Sequence, residues 1–273
     1  MRKNDRGPGY VQSIERAFSI IEMLKLHHEL SISELGSLLS LDRSTVHRLL
    51  ATLRHLGYAK QDRSTLKYSN SLKFFDIGNS ALRSLGLTEA ARPFMKELAR
   101  ETGEGVNLAV LESYCVIYID KIESQATFQI NLPLGNYMPA YCTALGKMLL
   151  SDLPEDEVRG VFQNCGEPGV RGRTFDHLKI RRYTANTPPN IDALCATLAQ
   201  IRKQGYSTDN EEYIEGLFCV AAPVRNHSGA VTAAMSVALP RIVGVDIQEK
   251  RQEILEKLLA ASQKVSLVLG YPA

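Results

Sequence analysis

The stretch Ser31–Tyr68 constrains the fold more than any other part of this 273-residue chain. It reads SISELGSLLSLDRSTVHRLLATLRHLGYAKQDRSTLKY: a short helix, a sharp turn, a second helix and a charged hairpin. Ser31 or Ser33 can cap the first helix, and Ser31 with Glu34 fits a capping box. Ile32, Leu35, Leu38 and Leu39 are expected on its buried side. Asp42 closes the turn Ser40-Leu41-Asp42 as a natural cap for the second helix. There Val46, Leu49, Leu50, Leu53 and Leu56 recur at helical spacing, and Gly57 suits the position just past the helix end. Arg43, Ser44, His47 and Arg48 lie off that stripe near the helix start, with Thr45 among them. A recognition helix offers such donors to base edges in a major groove. Tyr58-Ala59-Lys60 and Leu66-Lys67-Tyr68 alternate like short strands, so that Lys60, Arg63 and Lys67 can reach phosphates. The pattern is that of a winged helix-turn-helix reading double-stranded DNA. The competing reading is a generic helical hairpin with a solvated basic face.

Charge supports the first reading through its distribution. The net charge is only +2. Residues 1–70 hold 11 Lys+Arg against 7 Asp+Glu, and the remainder holds 21 against 23. A mildly basic head on a neutral body fits a DNA-reading module joined to a domain with another task. The first ten residues are polar and basic, and read as a disordered arm whose Arg2, Lys3 and Arg6 can add phosphate contacts. They lack a signal peptide's apolar core, and no apolar run of about 20 residues exists to span a membrane. The five scattered cysteines show neither CxxC nor Cys/His ligand spacing, so neither a metal nor a disulfide framework is expected. A reducing cytoplasm is the expected location.

Val11–Leu26 reads as a first helix with Ile14, Ala17, Phe18, Ile21 and Leu24 on one face, packed under the two helices that follow. The expected organisation is a DNA-binding domain over residues 1–70, a linker helix over 71–86 and a second domain over 87–273. The linker segment Ser71–Leu85, rich in Phe and Leu, suits packing on a partner chain or on its own domain. Leu87–Thr102 is a helix stopped at Gly103. Strands are expected at Val106–Leu111, Val116–Asp120 and Phe128–Leu132, a helix at Tyr141–Leu150, and another at Ile191–Gln204. Phe218–Val224 and Ala230–Leu239 form a hairpin, so the sheet is at least partly antiparallel, and Ile247–Leu269 is a closing helix. The whole is an α+β chain.

The chain resembles transcriptional regulators of the IclR type over nearly its whole length. The segments carrying the resemblance are Val11–Ala17, Ser44–Leu50, Gly57-Tyr58, Pro139–Lys147, Tyr183–Thr187, Gly205–Glu212 and Gly216–Val224, in that order. It implies an N-terminal winged helix-turn-helix, a linker helix and a C-terminal GAF-like α/β effector-binding domain. It also implies a homodimer or dimer of dimers on a palindromic operator near a catabolic operon, and a repressor controlled by a small organic acid. Departures are the long basic stretch Asn164–Arg182, the pair Pro188-Pro189, and Ala238 where many relatives place a second polar residue.

A helix start at Thr143-Ala144-Leu145-Gly146 offers unpaired N–H groups and small residues to an anion. The resemblance points to the same place: the backbone of Ala144 and Leu145 would hold the effector, with Met138 as wall. Asp209, Cys219 and Ser236 would add side-chain contacts, Asp209 as an ionised hydrogen-bond acceptor. Plainer readings stand beside these. Cys219 is equally a small buried hydrophobe, Ser236 can bond to backbone, and Asp209 can be a solvated loop charge. Lys147 is expected to face solvent. No nucleophile–base pair, carboxylate pair or metal site stands out, so neither an enzyme nor a bound cofactor is expected. The alternative is a cysteine-based redox sensor or redox enzyme using Cys115, Cys142 or Cys219.

Overall fold

The computed structural model describes residues 11–124, 134–163, 178–240 and 248–272. They fall into two compact units, Met1–Ser84 and Leu85–Ala273.

The first unit runs α1 (Gln12–His27), α2 (Ile32–Leu39), α3 (Arg43–His55), β1 (Ala59–Gln61), β2 (Tyr68–Asn70) and α4 (Lys73–Ser84). The capping box at α2 is complete. Ser31 Oγ accepts the Glu34 N–H at 3.3 Å, and Glu34 Oε2 accepts the Ser31 N–H at 2.7 Å. Gly36 accepts the Leu41 N–H, and a Cβ on Gly36 would lie 2.9 Å from the Leu41 carbonyl oxygen. Only glycine therefore lets the turn fold back this tightly.

Ile20, Leu24, Leu35, Val46, Leu50, Leu53 and Tyr68 make this unit's core. Residues of three expected stripes need correction. Ile14 and Phe18 are 56% and 59% exposed, and the buried side of α1 is Ile20 and Leu24. Leu38 and Leu56 are likewise half exposed. α1 carries apolar residues on two faces, so periodicity alone cannot tell which one meets the core. The wing strands sit later than expected. Asp62 Oδ1 accepts the Ser64 and Thr65 N–H groups and Leu66 adopts a left-handed conformation, giving a six-residue loop.

The second unit runs α5 (Leu87–Thr102), β3 (Gly105–Glu112), β4 (Cys115–Ile122), β5 (Tyr137–Pro139), a 3₁₀ turn (Ala140–Cys142), α6 (Ala144–Leu150), α7 (Glu155–Gln163), α8 (Ile191–Gln204), β6 (Ser207–Asn210), β7 (Leu217–Arg225), β8 (Val231–Pro240) and α9 (Gln248–Val268). Its six described strands are ordered β5-β4-β3-β8-β7-β6, and every neighbouring pair is antiparallel. α5 and α9 pack on one face, and α6 with α8 beyond it on the other. The fold is the expected α+β arrangement.

The helix expected at Tyr141–Leu150 is broken at Thr143, whose extended backbone (φ −119°) separates the 3₁₀ turn from α6. Thr143 then caps α6 by accepting the Gly146 N–H at 3.2 Å. β5, β6 and α7 go beyond the elements read from sequence. The expected strand Phe128–Leu132, the basic arm 1–10 and residues 164–177 of the long basic stretch lie outside the described residues. Among the described residues, no helix is long and apolar enough to cross a membrane.

Candidate functional site

Two sites emerge, one in each unit. In the first, Arg43, Ser44, His47 and Arg48 are exposed on the opening turns of α3 and Thr45 is half-buried. Asp42 organises this end. Its carboxylate accepts the Thr45 N–H at 2.8 Å and the hydroxyls of Ser44 and Thr45 at 2.6 Å each. These bonds hold the Asp42 carboxyl well below the usual carboxylate range, the Ser44 and Thr45 hydroxyls contributing most. Ser44 and Thr45 therefore spend their protons on the cap. Arg48 and Thr45 also line a groove beside α1, which leaves Arg43 and His47 as the side chains freest to read bases. Lys60 and Arg63 are exposed on the wing, while half-buried Lys67 lies 3.8 Å from Glu29.

The groove between α1, α3 and α4 has a volume of about 920 Å³. Ile14, Phe18, Leu49, Leu53, Phe74 and Ile77 line it. The exposed residues of the α1 stripe thus share one apolar surface with Leu49, Leu53 and Leu56 of α3.

In the second unit, Met138, Thr143, Ala144, Leu145, Asp209, Cys219 and Ser236 all line one cavity of about 40 Å³. Strand register explains the convergence. Asp209 pairs with Cys219 and Cys219 with Ala238, so the three form a row on the sheet face under α6. Ala221, Ser236 and Asn107 form the next row. Met138 comes from β5, and Thr143, Ala144 and Leu145 from the start of α6. Gly146 lets α6 approach: a Cβ there would lie 2.3 Å from the Ala140 backbone.

Three polar lining residues escaped sequence reasoning: Asn107, Tyr118 and Tyr213. Asn107 was legible as an amide inside the apolar run Val106–Leu111; the tyrosines carried no comparable signal. A second correction concerns Lys147. It is 2% exposed, and its ammonium is paired with Glu212. An ammonium at that depth needs such a partner, and Glu212 reaches it from 65 residues along the chain. The pair is anchored in turn. The Thr184 hydroxyl donates to the Glu211 carbonyl and the Thr187 hydroxyl to the Glu212 carbonyl, each at 2.6 Å.

Asp209 is 3% exposed, and its Oδ1 accepts the Glu212 N–H at 2.7 Å. The solvated-loop reading of Asp209 is thereby removed. Burial pushes its carboxyl up to about 7, with the Glu212 charge adding to the rise and the Glu212 N–H and Lys147 opposing it. The expected fully ionised acceptor is thus a group that titrates near neutrality. Burial also raises the thiols of Cys115 (to about 11), Cys142 and Cys219, leaving little thiolate.

Residues 79–267 match the family described as bacterial transcriptional regulator IclR C-terminal, and residues 13–63 match the IclR helix-turn-helix domain. The HTH-type transcriptional regulator KdgR of Escherichia coli is 35% identical over 98% of this chain and 96% of that protein. The HTH-type transcriptional repressor AllR of Salmonella paratyphi A is 30% identical over 84% and 80%. A crystal structure of a transcriptional regulator from Rhodococcus sp. RHA1 superposes with a TM-score of 0.78 at 25% identity, covering 95% of this chain and 98% of that one. The chain belongs to the IclR family of DNA-binding transcriptional regulators.

Proposed function

We propose that this chain represses a catabolic operon, and that a small organic acid in the cavity of the second unit sets its operator affinity. The observation that carries this reading is the meeting of Met138, Thr143, Ala144, Leu145, Asp209, Cys219 and Ser236 around one cavity. The acid's carboxylate sits against the N–H groups that open α6. A repressor role is supported by the relative named as one, AllR. The redox alternative is disfavoured by Cys115, Cys142 and Cys219, which are held as thiols by burial.

A second copy of the chain covers the groove of the first unit. Leu72, just before α4, and Phe75 on α4 add further exposed apolar side chains, 85% and 70% exposed. A two-fold dimer then presents two α3 helices to half-sites one helical turn apart, or a multiple of it. α4, the last element of the first unit in chain order, is the element whose state the acid changes.

Selection from random duplexes with the full-length chain tests the operator part, and a palindromic consensus is expected. Thermal shift against sugar acids, keto acids and aromatic acids tests the effector part. At least one acid should raise the melting temperature of the wild type and not of Leu145→Trp, which fills the cavity. No shift with any acid, or an equal shift in the variant, would remove the cavity reading. Sedimentation at micromolar concentration should show a dimer that Phe18→Asp dissociates.

A further inference from the structure

The end of α3 is closed by residues that lie beyond the wing. Gly57 takes a left-handed conformation (φ 82°), its N–H donates to the Arg54 carbonyl at 3.0 Å, and the Tyr58 N–H donates to the Leu53 carbonyl at 2.8 Å. That motif leaves the carbonyls of Leu56 and Gly57. Lys73 Nζ donates to the Leu56 carbonyl at 2.8 Å, and the Ser71 hydroxyl donates to that of Gly57. The Ser71 N–H donates to the Tyr58 carbonyl at 2.9 Å. The Lys73 ammonium also lies 4.4 Å from the centre of the Tyr58 ring, and the Phe74 ring packs on that ring at 5.2 Å. Three consecutive residues, Leu56, Gly57 and Tyr58, are thus held by Ser71, Lys73 and Phe74.

Lys73 is on the wrong end of its own helix. It is the first residue of α4, where the helix dipole disfavours a cation. The charge is well placed only for the C-terminal end of α3. The clamp matters because the core of the first unit does not hold α4: none of the helix's described residues is buried. α3, in contrast, buries Val46, Leu50 and Leu53 in that core. The angle between the two helices is therefore set where Lys73 meets α3. That angle shapes the apolar groove, because Phe74 and Ile77 of α4 form one wall of it and Leu49, Leu53 and Leu56 of α3 another.

We infer that Lys73 is a positioning residue for half-site spacing: it locks α4 to α3, so that a dimer built on the groove presents its two α3 helices at one fixed separation. The inference rests on the proposed dimer, and Lys73 acts in it through the groove wall, not through a contact with DNA. One extra base pair between half-sites moves them about 3.4 Å apart and turns one against the other by roughly 35°. A rigid pair of α3 helices does not follow that change, and base contacts at one half-site are lost. With the clamp released, the α4 wall yields and the two helices shift to meet the new spacing.

The test uses the full-length protein and the duplex obtained by selection, with its half-sites left in place or moved by one base pair in either direction. In fluorescence anisotropy the wild type should bind the shifted duplexes at least roughly tenfold more weakly, the loss of about one base contact. Lys73→Met keeps the aliphatic stem and removes the ammonium. Its spacing penalty should fall below about threefold, with the salt slope of the wild type retained. Lys73→Arg keeps a cation and its donors and should restore the wild-type penalty. Ser71→Ala removes a neighbouring tie and should relax the spacing in the same direction as Lys73→Met. Both residues lie outside the core, so these changes leave the fold of the first unit in place. Four results would overturn the inference: a wild type indifferent to spacing, Lys73→Met with the full penalty, Lys73→Arg with the relaxed one, or a salt slope lowered by about one in Lys73→Met, the mark of a phosphate contact. A monomeric wild type in sedimentation would sink the dimer reading itself, whereas a wild-type dimer with any of those four results would sink the inference alone.

Discussion

At the start of α3, one aspartate decides what the neighbouring side chains are free to do. Asp42 consumes the Ser44 and Thr45 hydroxyl protons and the Thr45 N–H, so it stiffens the first turn and withdraws two of the donors that sit there. On the proposed reading, Arg43 is left as the side chain with the widest reach toward base edges. Arg43→Ala should lower the preference for operator over random DNA by about 1–3 kcal/mol, one lost base contact. Lys60→Ala should instead weaken binding to every sequence and reduce the salt slope by about one unit. Competition binding at several salt concentrations separates the two, and equal losses on both DNAs for Arg43→Ala would refute its role in base reading. These residues were legible in sequence because a cap and the donors after it are a local pattern. Lys147 was not. Its solvent exposure was assumed from residue type, and the partner that permits its burial is remote in sequence. Asp209 was half legible: its place in the site followed from the family resemblance, but its protonation depends on how deeply the sheet and α6 enclose it.

Among the elements, α6 is the one the effector site depends on most, and its seat is set by a missing side chain. Gly146 lies against the Ala140 backbone, where a Cβ would come within 2.3 Å. The obstruction is main chain, so it cannot rotate away. Gly146→Ala should push the start of α6 off the 3₁₀ turn at Ala140, costing about 1–3 kcal/mol of stability in the second unit, the usual range for overpacking. Acid-induced thermal shift should be lost with it. Calorimetry on the full chain checks the first effect; an unchanged melting temperature would mean that the close contact is not maintained. Long helices such as α5 and α8 were read to the residue, because periodicity over four turns and a glycine stop leave little freedom. β5 and β6, of three and four residues, were not. Segments that short carry no pattern of their own and are strands only through pairing with β4 and β7. The break at Thr143 was legible only in part, since the helix was expected over Tyr141–Leu150 and its anion-facing start at Thr143: a threonine within a run of small residues reads equally as helix interior or as cap.

For the molecule as a whole, the proposed acid can act on operator binding only through a difference in free energy. If the acid raises the operator Kd by some factor, operator DNA must raise the Kd of the acid by the same factor. Couplings of this kind usually amount to about 5–150-fold. With the operator obtained by selection, fluorescence anisotropy with and without a saturating acid found by thermal shift gives one side of the cycle. Titration of that acid into the protein–operator complex gives the other. The proposed switching element, α4, can then be tested at Gly78, which lies within the helix with open space around it. Gly78→Ala removes a helix-weakening glycine without a clash and should leave the coupling intact or strengthen it. Gly78→Pro interrupts the helix at a cost of about 3 kcal/mol and should drive the coupling factor toward one. Affinity for the acid in the absence of DNA should stay unchanged in both variants, because Gly78 belongs to the first unit and the cavity to the second. Full coupling in Gly78→Pro would show that the acid acts on the operator by a route other than the continuity of α4.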